Sequence, residues 1–248
     1  MSSVARNILR FYRLGRPPAT LSVETSSSMA HVIAIDGPAG AGKSTIARRL
    51  AERLRYTYVD TGAMYRAIAL WAIREHVALT DGYRLEQLAR AAEIELLPQG
   101  RVQLNGEDIT AAIRGADVSA AASKVAAIGA VRTALVAKQR EMAEKASLVM
   151  EGRDIGTVVF PGARVKIYLD ADPAERVRRR SGEQPEIAPD QLATQIAERD
   201  NRDRHRTESP LVQAPDAVYL NSTGMTEEEV EEEILKIVRG RISNGKGQ

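Results

Sequence analysis

Residues 37 to 45 read Gly-Pro-Ala-Gly-Ala-Gly-Lys-Ser-Thr, directly after the apolar run His31-Val32-Ile33-Ala34-Ile35-Asp36. A buried strand that gives way to a glycine-rich loop and then to a helix constrains the fold more than any other feature of the chain. The helix is read from Ile46, Leu50 and Leu54, which recur every four residues beyond the loop. Gly37, Gly40 and Gly42 open backbone angles closed to other residues, so Gly37, Pro38, Ala39, Gly40, Ala41, Gly42, Lys43, Ser44 and Thr45 form a cradle. Its successive N–H groups converge on phosphate oxygens at the positive end of the helix. Lys43 adds a point charge on the β and γ phosphates, and the Ser44 hydroxyl is placed to reach Mg²⁺. Binding of a nucleoside triphosphate is the expectation, with a purely structural loop as the alternative.

Strand and helix alternate after that start. Tyr56 to Asp60, Ser147 to Gly152, Val165 to Asp170 and Ala217 to Leu220 read as further strands, which makes five. A helix runs through Met64 to Leu70. Asp172-Pro173-Ala174-Glu175 and Thr226 to Glu229 are helix starts with a cap and an acid three residues on. The expected architecture is α/β: a P-loop three-layer fold with a central parallel five-stranded sheet covered by helices on both faces. Residues 85 to 123 break the alternation. Glu93 to Leu97 and Arg101 to Leu104 flank a Pro98-Gln99-Gly100 turn, and Asn105-Gly106 reads as a tight hairpin turn. This segment is expected to be a small β-containing insertion in a core of residues 29–84 and 124–244. Residues 181 to 189 read as a loop with two prolines between Arg-rich helices, part of a lid over about 176–206.

At 248 residues and 44% hydrophobic, the chain suits one α/β domain of ordinary size. No apolar run reaches the roughly 18 residues of a membrane span. With no cysteine, disulfides and thiolate metal sites are excluded, and His31, His76 and His205 lack metal-ligand spacing. Cytoplasmic placement follows as the expectation. The net charge is +2, but residues 1 to 28 hold Arg6, Arg10, Arg13 and Arg16 against Glu24 alone. Removing those four and one from totals of 35 basic and 33 acidic leaves 31 against 32 for the remainder. The folded part is therefore not basic, and aromatic residues are only 4%, too few for a stacking platform. No nucleic-acid partner and no membrane partner are expected, and the protein is expected to be a monomer. The first 28 residues read as a disordered tail, with Met29 a possible functional start and a transit peptide the weaker alternative.

A phosphate cradle alone leaves GTPases, ATPases, transporters and small-molecule kinases open. No Asn/Thr-Lys-x-Asp guanine-reading motif is present. Three more segments narrow the choice: Asp60-Thr61-Gly62-Ala63-Met64-Tyr65-Arg66, Glu151-Gly152-Arg153-Asp154-Ile155-Gly156-Thr157, and Glu198-Arg199-Asp200-Asn201-Arg202-Asp203-Arg204-His205-Arg206. Arg66 and Arg153 each follow the C-terminal end of a strand, where open α/β sheets bind ligands, and their forked guanidiniums suit a monophosphate. Arg199, Arg202, Asp203 and Arg206 are spaced to share one helix face, with Asp200 and Arg204 opposite. A carboxylate such as Asp154 favours cytosine, which presents an amino donor, over uracil, which presents a carbonyl at the same place.

In this order, from about Met29 to the last helix, the segments resemble the bacterial cytidylate kinase family. The resemblance implies transfer of the ATP γ-phosphoryl to CMP and dCMP, with Mg²⁺. It implies that Ser123 and Arg132 join Asp154 on the base, that Arg199 and Asp203 approach the ribose, that Arg206 lies between base and phosphate, and that Thr61 and Tyr65 line the pocket. Lys43, Arg66 and Arg153 are the expected catalytic cations. Among Arg176, Arg178, Arg179 and Arg180 some are expected to swing in on closure, Arg179 as the catalytic one. If Asp154 reads the base, the second Mg²⁺-supporting acid is unassigned, with Asp36 either that acid or a structural one. A kinase of the same fold for AMP or UMP is the nearest alternative, and a non-catalytic ATP-binding module the more distant one.

Overall fold

The computed structural model describes residues 31–243. In chain order its elements are β1 (Val32–Asp36), α1 (Lys43–Leu54), β2 (Thr57–Asp60), α2 (Thr61–Arg74), α3 (Gly82–Ala91), β3 (Ile94–Leu97), β4 (Arg101–Leu104), β5 (Glu107–Asp108), α4 (Ala116–Val125), α5 (Gly129–Lys145), β6 (Leu148–Gly152), β7 (Val165–Asp170), α6 (Pro173–Glu183), α7 (Pro189–His205), β8 (Val218–Asn221) and α8 (Glu227–Ser243). The expectations for residues 1 to 28 and for Met29 lie outside the described residues.

Five strands pair in the order β2-β6-β1-β7-β8, all parallel. β1 is central and covered on both faces, so Ile33, Ala34 and Ile35 are fully buried and the run is apolar without alternation. On one face Ile33 and Ile35 meet Ile46 and Leu50 of α1 and Ile234, Leu235 and Val238 of α8. On the other, Ala34 and Met150 pack against Val136 of α5 and against Ile155 and Val159. Full burial of a side chain such as Leu50 is worth about 1.5–3 kcal/mol. All five strands run the same way, so their C-terminal ends share one edge, where the loops after β1, β2 and β6 are the sequence-predicted phosphate and arginine segments.

A second sheet, β3-β4-β5, is antiparallel. Asn105 and Gly106 both have positive φ, 51° and 84°, as a two-residue hairpin turn requires. This sheet buries Val102 and Leu104 in a core continuous with α2, α3, α4 and α5, so it is stitched to the main body through helices. Among the described residues no single helix is long and apolar enough to cross a membrane. α4 and α5 would qualify only as a pair, which bends by 98° and buries Val118, Val125, Val131 and Leu135 in that core.

Two local readings change. α6 continues to Glu183, so Ser181 to Glu183 are helical and the α6–α7 connection is only 184–188. After β6 the chain makes a π-helical turn over Ile155–Val159, stabilised by Val159 N–H and Phe160 N–H donating to the Asp154 and Ile155 carbonyls.

The loop after β1 passes so close to β7 that a Cβ on Gly37 would lie 1.9 Å from the Leu169 carbonyl oxygen. Gly37→Ala is therefore expected to lower the free energy of unfolding by about 3 kcal/mol, read from the urea midpoint. Gly182→Ala, inside α6 with open space around it, should raise stability by about 0.5–1 kcal/mol in the same assay. Equal midpoints for the two variants would refute the close approach.

Candidate active site

The loop itself follows from its glycines. Gly40 and Gly42 have φ of 76° and 89°, and Gly42 caps α1 in the left-handed region. The first-turn N–H groups of α1, from Lys43, Ser44 and Thr45, have no acceptor within the helix and face outward at its positive end. Ala39 N–H donates to Asp200 Oδ1 at 3.0 Å, so it anchors the loop to α7. Lys43 is buried and donates to the Pro38 carbonyl at 2.7 Å. Burial, and then repulsion from Arg153, push its pKa down to about 7.

The end of β2 supplies Asp60. It caps α2 by accepting from Ala63 N–H at 2.9 Å and binds Arg66 at 2.8 Å, so one carboxylate both starts the helix and aims its guanidinium. The Thr61 hydroxyl donates to the Glu151 carbonyl at 2.8 Å and ties α2 to β6. From the end of β6, Arg153 reaches across to α7 and donates to Asp203 Oδ2 at 2.8 Å. Burial alone would raise the Asp203 carboxyl, but Arg153 and Arg199 outweigh it and hold it below its ordinary range. Arg199 makes no salt bridge among the described residues. Burial, and then Arg153 with Arg66 and Arg180 behind it, push its pKa down to about 10. Arg153, Arg66 and Arg180 thus all act on Arg199, and Arg153 and Arg199 act on Lys43, among the carboxylates of Asp60, Glu151 and Asp203 and with Arg180 itself paired to Glu183.

A second cluster adjoins the first. Arg132 of α5 is ion-paired with Asp154 Oδ2 and stacks over the Tyr65 ring at 5.6 Å, while Arg206 Nη2 stands 3.4 Å from Asp154 Oδ1. Tyr65 has its hydroxyl pushed up to about 12 by burial. Arg132 also donates to the Ala126 carbonyl at the end of α4, the helix that carries Ser123 in its last turn. Ser123 Oγ, Arg132 Nε and Arg206 Nη2 are buried without hydrogen-bond partners, three of the seven such side-chain atoms among the described residues. Orphaned donors beside a carboxylate and an aromatic face suit a planar polar ligand.

Three carboxylates compete for the role of metal support, and their partners separate them. Asp36 accepts from Ile155 N–H at 2.8 Å and Gly156 N–H at 2.7 Å, so both its oxygens hold backbone, and burial pushes its pKa up to about 6. Asp154 faces Arg132 and Arg206. Glu151, which the sequence reading left without a role, ends β6 beside Lys43 and Ser44 and accepts from the Tyr58 hydroxyl at 3.0 Å. Among the described residues no three His, Cys, Asp or Glu side chains cluster to hold a metal. Ser44 and Glu151 together are the hard-oxygen donor set that Mg²⁺ uses when phosphates supply its other ligands.

The arginines of α6 diverge from expectation. Arg179 donates to the Ala41 carbonyl, to the Ser222 hydroxyl and carbonyl and to Glu175, all at 2.8–3.2 Å, so in this arrangement it lies against the loop. Arg178 pairs with Glu175 at the surface, and Arg176 is buried against Asp200. Arg180 is the member whose charge reaches Arg199. On α7, Arg202 is exposed, and Asp200, expected on the opposite side, is buried.

Cations converging from a glycine-rich loop and from the two neighbouring strand ends can neutralise phosphoryl groups from two ligands at once. This geometry and the parallel sheet define a P-loop phosphotransferase of the small-molecule kinase type. The cytidylate kinase family profile matches residues 33–240, and the chain belongs to that family. It is 62% identical over 221 residues to a cytidylate kinase of Solibacter usitatus, covering 87% of this chain and 95% of that one. To the cytidylate kinase of Desulforamulus reducens it is 50% identical over 209 residues, 82% of this chain and 94% of that one. A solved structure of an uncharacterised protein from Eubacterium ventriosum shares the fold, with a TM-score of 0.52 at 12% identity over 85% of this chain and 99% of that one.

The depressed Lys43 pKa has a measurable consequence. Phosphates beside the ammonium raise its pKa again, so binding above about pH 7 draws in a proton that Lys43→Arg, always charged, does not need. Calorimetric titration of Mg·ATP in two buffers of different ionisation enthalpy should show the wild type taking up as much as about one proton more than the variant near pH 8, and no more than it near pH 6. Equal counts at both would contradict the assignment.

Proposed function

We propose that the chain transfers the γ-phosphoryl group of ATP to CMP, and to dCMP, releasing ADP and CDP or dCDP. The observation that carries this reading is the pairing of converging cations with an adjoining pocket of orphaned donors around Asp154. One cluster suits phosphates and the other suits a base.

The donor phosphates lie on the loop N–H groups, Lys43 and the first turn of α1. Ser44 and Glu151 would hold Mg²⁺, which would supply charge screening for the donor phosphates. Arg66 and Arg153 hold the acceptor phosphate, each aimed by a carboxylate. Arg199 and Asp203 take the ribose, Arg206 bridges base and phosphate, and Thr61, Tyr65, Ser123, Arg132 and Asp154 surround the base. A phosphate monoester has its second pKa near 6, so the attacking oxygen is largely ionised at neutral pH and needs no base. That oxygen attacks the γ phosphorus, the bond to the β–γ bridging oxygen breaks, and ADP leaves with the electron pair. Lys43, Arg153 and Arg199 neutralise the charge that moves, which is how such centres lower a barrier. Arg180, on the lid side, takes the closing role expected of Arg179. Closure of α6 and α7 excludes water and suppresses hydrolysis of ATP.

A coupled assay of ADP release tests the reading: CMP should be the preferred acceptor over UMP and AMP, and ADP release independent of CMP would overturn it. Asp154→Asn should erode the preference for CMP over UMP, because its amide can donate to the uracil carbonyl. The ratio of kcat/KM values is expected to fall roughly 5- to 150-fold. An unchanged ratio in a variant with normal ATP affinity would remove Asp154 from base reading.

A further inference from the structure

The phosphate loop is gripped at one residue from outside. Ala39 N–H donates to Asp200 Oδ1 at 3.0 Å, and the Ala39 carbonyl accepts from Arg176 Nη1 at 3.0 Å. The same Arg176 nitrogen is ion-paired with Asp200 Oδ2. Asp200 is 3% exposed, Arg176 7% and Ala39 8%. A buried ion pair is a poor way to join two helices, because apolar side chains of similar size do so without desolvating charge. This pair does something apolar side chains cannot, which is to satisfy both the N–H and the carbonyl of one loop residue.

Its surroundings point the same way. Between α6 and α7 lies an open pocket of about 640 Å³ lined by Pro173, Val177 and Ile196 together with Arg176 and Asp200, so the pair bridges the two helices at the wall of that pocket. Asp200 also stands between Arg199, which faces the cationic centre, and Asp203, which holds Arg153. The helix that carries the acceptor-side groups therefore touches the donor loop within one residue of them.

We propose that Asp200, together with Arg176, is a positioning residue that sets the donor loop through Ala39 and makes donor binding depend on the acceptor. A nucleoside monophosphate that engages Arg199 and Asp203 fixes α7, and α7 fixes the Ala39 peptide. The inference rests on the acceptor-site reading given above.

Isothermal titration with a non-hydrolysable ATP analogue, in the absence and presence of saturating CMP, measures the dependence directly. In the wild type CMP should tighten the analogue by a factor within the usual coupling range of about 5 to 150. In Asp200→Asn that factor should fall to near one and the KM for ATP should rise about tenfold or more, while the Kd for CMP alone stays within about twofold. The single variant leaves the Arg176 charge buried and unpaired, so Asp200→Asn with Arg176→Gln is the companion. It removes that charge with a side chain two atoms too short to reach Ala39, and it should recover the melting temperature but not the coupling. A wild-type factor of one, a factor unchanged in both variants, or a parallel loss of CMP affinity would overturn the proposal. A wild type that neither binds nor phosphorylates CMP would instead refute the acceptor-site reading.

Discussion

The gathering of buried cations is the constraint around which this molecule is arranged. Lys43, Arg66, Arg153, Arg180 and Arg199 are brought towards the carboxyl edge of one sheet, where burial first and neighbouring arginines second push the pKa values of Lys43 and Arg199 down. Carboxylates hold the group in place: Asp60 holds Arg66, Asp203 holds Arg153, Glu183 pairs with Arg180, and Glu151 stands beside Lys43. Further negative charge is supplied by phosphates. A site that is costly when empty and relieved when two phosphate chains meet in it favours the bound arrangement, and most of all the moment at which a phosphoryl group is shared between them.

Such a centre needs a rigid frame, and the frame is made of backbone held by buried carboxylates. Asp36 ends the central strand and clasps the Ile155 and Gly156 N–H groups, so the loop after β1 and the turn that presents Arg153 and Asp154 cannot drift apart. Asp200 performs the equivalent task between α7 and Ala39. Each carboxylate is desolvated, and each is tolerable because its oxygens are satisfied by fixed donors. Donor side, acceptor side and base pocket are thereby parts of one structure even though they come from four separate segments of the chain.

What could be read from the sequence was what local pattern determines. Strands covered on both faces must be apolar throughout, so the runs ending at Asp36, Gly152 and Asp170 stand out, and the glycine-rich loop and the Asn105-Gly106 turn have chemistry that few other conformations require. The roles that depend on which way a side chain points were harder. Arg202 and Asp200 sit in one unbroken charged run, and charge alone does not say which faces inward. The signal was present in the apolar residues before it: Leu192 and Ile196 set a buried stripe that Asp200 and Asp203 continue at helical spacing. Glu151 was passed over although a carboxylate inside a strand buried on both faces calls for a purpose. The partners of Arg179 are no easier to read, since Ser222, which it bonds along with Glu175, is far away in sequence.

The central claim is that two ligands' phosphates meet in a single cationic centre. The most direct test is binding of one molecule that joins adenosine to cytidine through five phosphates, followed by calorimetry and by competition against an ATP analogue and CMP. The account predicts one such molecule per chain, displacement of both nucleotides, and affinity above that of either alone. Binding of two molecules per chain, or displacement of the ATP analogue with CMP left in place, would contradict it.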